Sequence, residues 1–307
     1  LSGDGFCPST PTSRYEPAGP EHAKHERVRR DERTKEGAVI GIPMRRGRWA
    51  DHPYVAVGDG PRTLLVIPGL NDPLCRVTDR LWFSLLVATY CDRYTGRHTV
   101  AMVSRPPGIE EEATTRDLSA GYADVLDETG PADVMGLSMG GFLVQHLAAD
   151  RPDLVEHAIF GLAGARLSEG GREVVERWIE HAKADEWRPI CVEAAEAVAG
   201  GLRGPVVRGA ADLYGRFGTP SSVDRRDFLV SATACLDHDA TPRLGEIAVP
   251  TLVIGASEDP FFSPNQYRET AAEIPDGSLF EIDGVGHEAV LDRRREFDGA
   301  IGEFLRD

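Results

Sequence analysis

A serine, an acid and a histidine stand at Ser138, Asp259 and His287 in local settings that suit acyl transfer. Ser138 lies in Gly136-Leu137-Ser138-Met139-Gly140-Gly141, directly after the strand-like run Pro131-Ala132-Asp133-Val134-Met135. Beyond it Phe142, Leu143, Val144, Leu147 and Ala148 recur at helical spacing until Arg151-Pro152. A serine on so tight a strand-to-helix turn is held in a strained backbone. Its hydroxyl stands above the sheet, and the first helical N–H groups aim at the same space. Glycines two residues to either side are required, because a Cβ there would strike the neighbouring strand or helix.

The acid candidate is Asp259, in Gly255-Ala256-Ser257-Glu258-Asp259-Pro260, with Glu258 as its rival one residue away. Asp259 is preferred because Pro260 immediately constrains the loop that follows. The base candidate is His287, in Gly284-Val285-Gly286-His287-Glu288, where two glycines free the backbone to bring the imidazole over the serine. Of nine histidines it alone sits on a glycine-flanked loop after a terminal strand; His146, His157 and His238 read as structural. A serine hydroxyl does not ionise near neutrality, so His287 has to take its proton during attack. Asp259 would hold the useful tautomer and stabilise the cation that forms.

The oxyanion of a tetrahedral intermediate needs preorganised donors. The N–H of Met139 is one. The loop Pro68-Gly69-Leu70-Asn71-Asp72-Pro73 supplies the other, at the N–H of Leu70, with Gly69 expected to permit an unusual backbone turn.

These groups require a sheet whose strands all end at one edge. Strand-like runs occur at 38–42, 54–57, 63–67, 98–103, 156–162, 249–255 and 278–282, the last two reading as buried. Helix-like segments intervene at 79–90, 114–127 and 265–274, and the chain closes with a helical pattern over 292–305. Thr114 and Asp117 have capping-box spacing. The alternation predicts an α/β fold, a mostly parallel β-sheet with helices on both faces, and ligands at the carboxyl ends of its strands. Residues from about 166 to 226 break the pattern with helix-like runs only, such as 171–183 and 192–199, and read as an inserted helical cap. Trp178, Ile179 and Trp187 in this cap either face a pocket or fasten the cap to the core. Residues 1–36, rich in proline and then in mixed charge, read as a disordered tail, leaving 37–307 as one domain.

The order Ser138, Asp259, His287, each after a strand, resembles the α/β-hydrolase superfamily over roughly residues 38–307. Gly-x-Ser-Met-Gly-Gly with Val249-Pro-Thr-Leu-Val-Ile254 is similar to the branch holding enol-lactonases, small carboxylesterases and haloperoxidase-like perhydrolases. The resemblance implies an α/β-hydrolase fold and a serine esterase or lactonase that needs no cofactor and acts on a small-molecule ester or lactone. Acyl transfer, C–C bond hydrolysis or ligand binding without turnover could use the same groups. One departure stands out. The branch usually has His-Gly where this chain has Pro68-Gly69, so the donor N–H groups survive but the histidine's anchoring role does not.

Composition narrows the field further. The net charge of −16 opposes nucleic acid and anionic membranes as partners. The longest apolar run, 81–91, is about half a membrane span. No apolar signal segment is visible at the start, and the chain begins at Leu1. Five widely spaced cysteines without a C-x-x-C favour a reducing, cytoplasmic setting over disulfides or zinc. His22 and His25 have helical metal-ligand spacing but lie in a charged stretch without further ligands, and read as solvated charge. Lys24, Lys35 and Lys183 are the only lysines, a bias that fits either a high-salt cytoplasm or a GC-rich genome.

Overall fold

The computed structural model describes residues 35–39, 42–201, 204–218 and 220–306. The tail reading and the His22/His25 pair lie outside these residues, except that Lys35 and Glu36 already belong to a strand.

The chain forms β1 (Lys35–Val39), β2 (Ile42–Trp49), β3 (His52–Val57), β4 (Arg62–Ile67), α1 (Leu81–Cys91), β5 (His98–Val103) and α2 (Thr115–Thr129). It continues through β6 (Ala132–Leu137), α3 (Met139–Asp150) and β7 (Val155–Gly161). Four helices then follow without a strand: α4 (Glu169–Lys183), α5 (Trp187–Val198), α6 (Gly204–Phe217) and α7 (Ser222–Asp237). The remainder is β8 (Thr251–Ala256), α8 (Pro264–Ala272), β9 (Gly277–Ile282), α9 (Ala289–Asp292) and α10 (Arg294–Phe304).

The nine strands among the described residues form one sheet in the order β1-β2-β3-β5-β4-β6-β7-β8-β9. Pairing is antiparallel from β1 through β3 to β5, and parallel from β5 onward. Side chains alternate between faces along a strand. In β4, Leu64 and Val66 pack with Val87, Cys91 and Phe297, whereas Leu65 and Ile67 pack with Leu126, Phe142 and Tyr267. Both faces are therefore apolar and covered, the arrangement a parallel sheet requires. The capping box of α2 forms as expected, with Thr114 and Asp117 each bonded to the other's backbone N–H.

Four expectations change. The run at 38–42 is not one strand, since Val39 ends β1 and pairs with Ile42 of the antiparallel β2. Its partner β2 carries Arg45, Arg46 and Arg48, so it shows little apolar alternation and is a strand because β3 offers its hydrogen-bonding edge. β9 is the exposed edge of the sheet rather than a buried strand, and Phe280 is 37% exposed. The closing helix is broken at Arg293, whose φ of −109° and ψ of 33° interrupt the α ladder. Finally, the cap runs through α7 to Asp237, so the expected end near 226 falls inside a helix. The cap's α6, missed in the sequence, starts within the glycine cluster at Gly204-Pro205, where proline suits a first helical turn.

Candidate active site

Ser138 links β6 to α3 with φ 54° and ψ −123°, a left-handed geometry that a residue with a Cβ adopts only under constraint. The constraint is visible on both sides. The Ser138 N–H donates to the Gly161 carbonyl at 2.8 Å, and its carbonyl accepts from Gly141 N–H at 2.8 Å. A Cβ on Gly136 would overlap the Gly140 carbonyl, and one on Gly140 would overlap that of Ile67. Both glycines are thus demanded by close approach, as the sequence implied.

Asp259 leaves the carboxyl end of β8, is buried, and has every lone-pair direction engaged. Its Oδ1 accepts the N–H groups of Phe261 at 2.8 Å and Phe262 at 3.3 Å. Its Oδ2 accepts the Tyr267 hydroxyl at 2.7 Å and His287 Nδ1–H at 2.7 Å. Burial, and next the Asp259 charge, push the Tyr267 phenol well above its ordinary pKa, so it remains a donor. Glu258, the rival, is exposed; its N–H bonds the Val285 carbonyl at 2.9 Å and ties the acid loop to the histidine loop.

His287 follows β9, on a loop where Gly284 has φ 65°. Its ring is buried against Phe261, with centroids 4.8 Å apart. The carboxylate takes the Nδ1 side of the ring, so in the neutral imidazole the proton sits on Nδ1 and the lone pair on Nε2.

Gly69 differs from expectation. It has no left-handed φ; what sets it apart is a close approach, since a Cβ there would lie 3.3 Å from the Ser138 Cβ, a tight contact that would press on the nucleophile. Leu70, Met139, Ser138 and His287 all line one cavity of about 280 Å³. Val175 and Trp178 from α4, and Ala194 and Val198 from α5, line it as well. Trp187 is absent from this wall: it packs edge-on against Phe228 at 5.7 Å and donates to Asp185 at 2.5 Å. The two tryptophans therefore divide the alternatives left open by the sequence.

Two cysteines reach the cavity, but burial pushes the thiols of Cys75 and Cys235 up to about 12, which removes the thiolate a cysteine nucleophile would need. His146, His157 and His238 lie elsewhere. His146 and His238 share the Thr115 hydroxyl, at 3.1 and 2.8 Å, and His157 bonds Asp133 at 2.7 Å. Among the described residues no group of three or more potential ligands could hold a metal ion, and no helix is long and apolar enough to cross a membrane.

One site residue had no signal in the sequence. Arg105, at the end of β5, is the largest wholly buried side chain among the described residues, and its guanidinium lies against the carbonyls of Pro68, Gly69 and Leu70. Its neighbours Pro106-Pro107 mark a turn but give no hint of burial.

A hydroxyl on a strained elbow, an imidazole backed by a carboxylate and a helix N-terminus facing one apolar cavity are the groups acyl transfer uses. Residues 64–300 match the Alpha/beta hydrolase family, and the chain belongs to it. An enol-lactonase from Burkholderia xenovorans LB400 has the same fold. It superposes with a TM-score of 0.69 at 20% identity, covering 89% of this chain and all of that one. In sequence the chain is 25% identical over 234 residues to the pimeloyl-acyl-carrier-protein methyl ester esterase of Chromobacterium violaceum, covering 71% of this chain and 88% of the esterase. It is also 26% identical over 272 residues to the polyketide synthase ThaQ of Burkholderia thailandensis. That match takes in 81% of this chain but only 12% of the synthase.

Proposed function

We propose that the protein is a serine hydrolase that cleaves a small or medium carboxylic ester, or a lactone, through an acyl-enzyme. The observation that carries this reading is the 2.7 Å hydrogen bond from His287 to Asp259 beside the cavity that Ser138 also lines.

On this reading Ser138 Oγ attacks the substrate carbonyl while His287 Nε2 takes its proton, and Asp259 stabilises the imidazolium. The N–H groups of Leu70 and Met139 hold the oxyanion of the tetrahedral intermediate. Collapse breaks the C–O bond, and the imidazolium gives its proton to the leaving alkoxide. Water, deprotonated in turn by His287, attacks the acyl-enzyme, and a second collapse returns the proton to Ser138 with release of the acid.

The cavity supports a neutral, apolar acyl or alcohol group. Its described lining contains no lysine or arginine to receive a substrate carboxylate, and its volume of about 280 Å³ suits a small to medium molecule. The names of the enol-lactonase and the methyl ester esterase point to the same bond type.

The reading is tested with a fluorophosphonate followed by a panel of esters and lactones. A single adduct on the peptide carrying Ser138, with steady-state turnover of some esters or lactones, is expected. Labelling without steady-state release would instead indicate a binding protein, and labelling elsewhere would remove Ser138 from the chemistry.

A further inference from the structure

We infer that Arg105 is a positioning residue for the oxyanion donor at Leu70, and that the cap helix α7 sets it through Asp227 and Arg76. The inference rests on the proposed role of the Leu70 N–H in holding the oxyanion.

The guanidinium of Arg105 gives Nη2–H to the Gly69 carbonyl at 2.7 Å and to that of Leu70 at 3.2 Å, and Nη1–H to Pro68 at 3.4 Å. In a trans peptide the carbonyl and the following N–H point in opposite directions. Holding the Gly69 carbonyl toward Arg105 therefore turns the Leu70 N–H the other way. A cation on the carbonyl also polarises the peptide, which makes its N–H a stronger donor. A stable anchor of this kind is what Pro68 cannot provide, having neither a polar side chain nor an N–H.

Arg105 is itself fixed from two directions. Its backbone N–H donates to Asp72 Oδ2 at 2.8 Å, within the same loop that it clamps. Its carbonyl accepts Arg76 Nε–H at 3.0 Å. Arg76, also buried, reaches the cap: Nη2–H donates to Asp227 Oδ2 at 2.6 Å and Nη1–H to Asp224 Oδ1 at 2.5 Å, both on α7. Asp227 is wholly buried and accepts in addition the N–H groups of Gly108 at 2.8 Å and Ile109 at 2.9 Å, in the loop after Arg105. A hydrogen-bonded chain thus runs from α7 through Arg76 and Arg105 to the loop against Ser138. A cap that only covered the cavity would need no such connection to the peptide beside the nucleophile.

The test compares the unaltered enzyme with Arg105→Lys, Asp227→Asn and the double variant Arg105→Met/Asp72→Asn, which removes together the buried charges of Arg105 and Asp72, whose Nε and Oδ2 lie 3.8 Å apart. A short p-nitrophenyl ester reports kcat and KM, and an aryl trifluoromethyl ketone, which forms a tetrahedral oxyanion on serine, reports oxyanion binding. Loss of one oxyanion donor typically costs about 10²- to 10³-fold in kcat, so a misaimed donor should cost roughly 10- to 100-fold. Arg105→Lys and the double variant should show that loss in kcat with KM within about twofold, and a parallel weakening of the ketone. Asp227→Asn should move both in the same direction by a smaller factor. Folded variants with unchanged kcat and ketone affinity, or with losses in KM alone, would overturn the inference. So would failure of all three to fold, which would make the network a folding element. If the unaltered enzyme itself takes no fluorophosphonate at Ser138, it is the hydrolase reading that falls.

Discussion

Tyr267 and His287 donate to the same oxygen of Asp259, each at 2.7 Å, so a tyrosine from α8 shares the carboxylate that orients the imidazole. With Phe261 and Phe262 N–H on the other oxygen, Asp259 is held by four donors and has little freedom to rotate. Tyr267→Phe should leave His287 oriented but loosen the carboxylate. A hydrogen bond to a charged group contributes about 1.5–3 kcal/mol, and part of that appearing in the transition state should lower kcat roughly tenfold. Steady-state kinetics on one ester checks this, and an unchanged kcat would show that the other three donors suffice.

Ser138→Ala should abolish turnover, by roughly 10⁴- to 10⁶-fold in kcat, with the melting temperature preserved. Intact-mass analysis after fluorophosphonate treatment should show no adduct on the variant. Residual labelling would direct attention to another nucleophile.

Asp259→Asn should slow catalysis by roughly 10³- to 10⁴-fold, because the amide favours the wrong imidazole tautomer. Glu258→Gln should change little, since the Glu258 side chain is exposed and its backbone N–H makes the bond that matters. Measured side by side, a reversed pattern would reassign the acid by one position.

Trp178→Ala and Trp187→Ala should part company. Trp178 lines the cavity, and Glu193, its indole partner at 2.8 Å, keeps Arg177 at 3.0 Å, so its removal should widen the range of accepted acyl or alcohol groups. Trp187 is buried against Phe228 away from the cavity, so its removal should cost about 3–5 kcal/mol and depress all substrates alike. Substrate profiles taken beside melting temperatures decide the matter, and matching profiles for the two variants would contradict the assignment.

Stability should fall on mild acidification. Burial, with the Arg243 charge adding to it, lowers the His146 pKa to about 4, and burial lowers that of His238 well below its ordinary value. An unfolded histidine titrates near 6.5, so below that pH the unfolded chain takes up protons that the folded protein refuses. The contribution is complete above about pH 6.5 and declines as pH falls toward the folded value near 4 for His146. Urea midpoints should drop between pH 7 and pH 5, where most carboxylates are still ionised, and His146→Gln should flatten the slope. A midpoint independent of pH over that window would contradict the buried neutral state.

The groups singled out in the sequence carry local signals. Gly136 and Gly140 flank Ser138, Pro260 follows Asp259, and Gly284 and Gly286 precede His287, so turn chemistry within a few residues announces each of them. Strand and helix alternation is equally local, which is why the parallel sheet and the cap were legible from periodicity alone. The remainder depended on partners distant along the chain. The strand β2 exists because β3 lies beside it, and β9 is exposed because it is the edge strand of the sheet that the described residues form. Nothing near Arg105 distinguishes it from a surface arginine; it is buried because the carbonyls of a loop about 35 residues earlier converge on it. Arg76 and Asp227 meet across 151 residues, and Trp178 faces the cavity while Trp187 does not, through the docking of the cap helices. Backbone geometry and hydrophobic period act over a few residues and can be read in order, whereas burial and charge pairing are set by which surfaces meet when the chain has closed on itself.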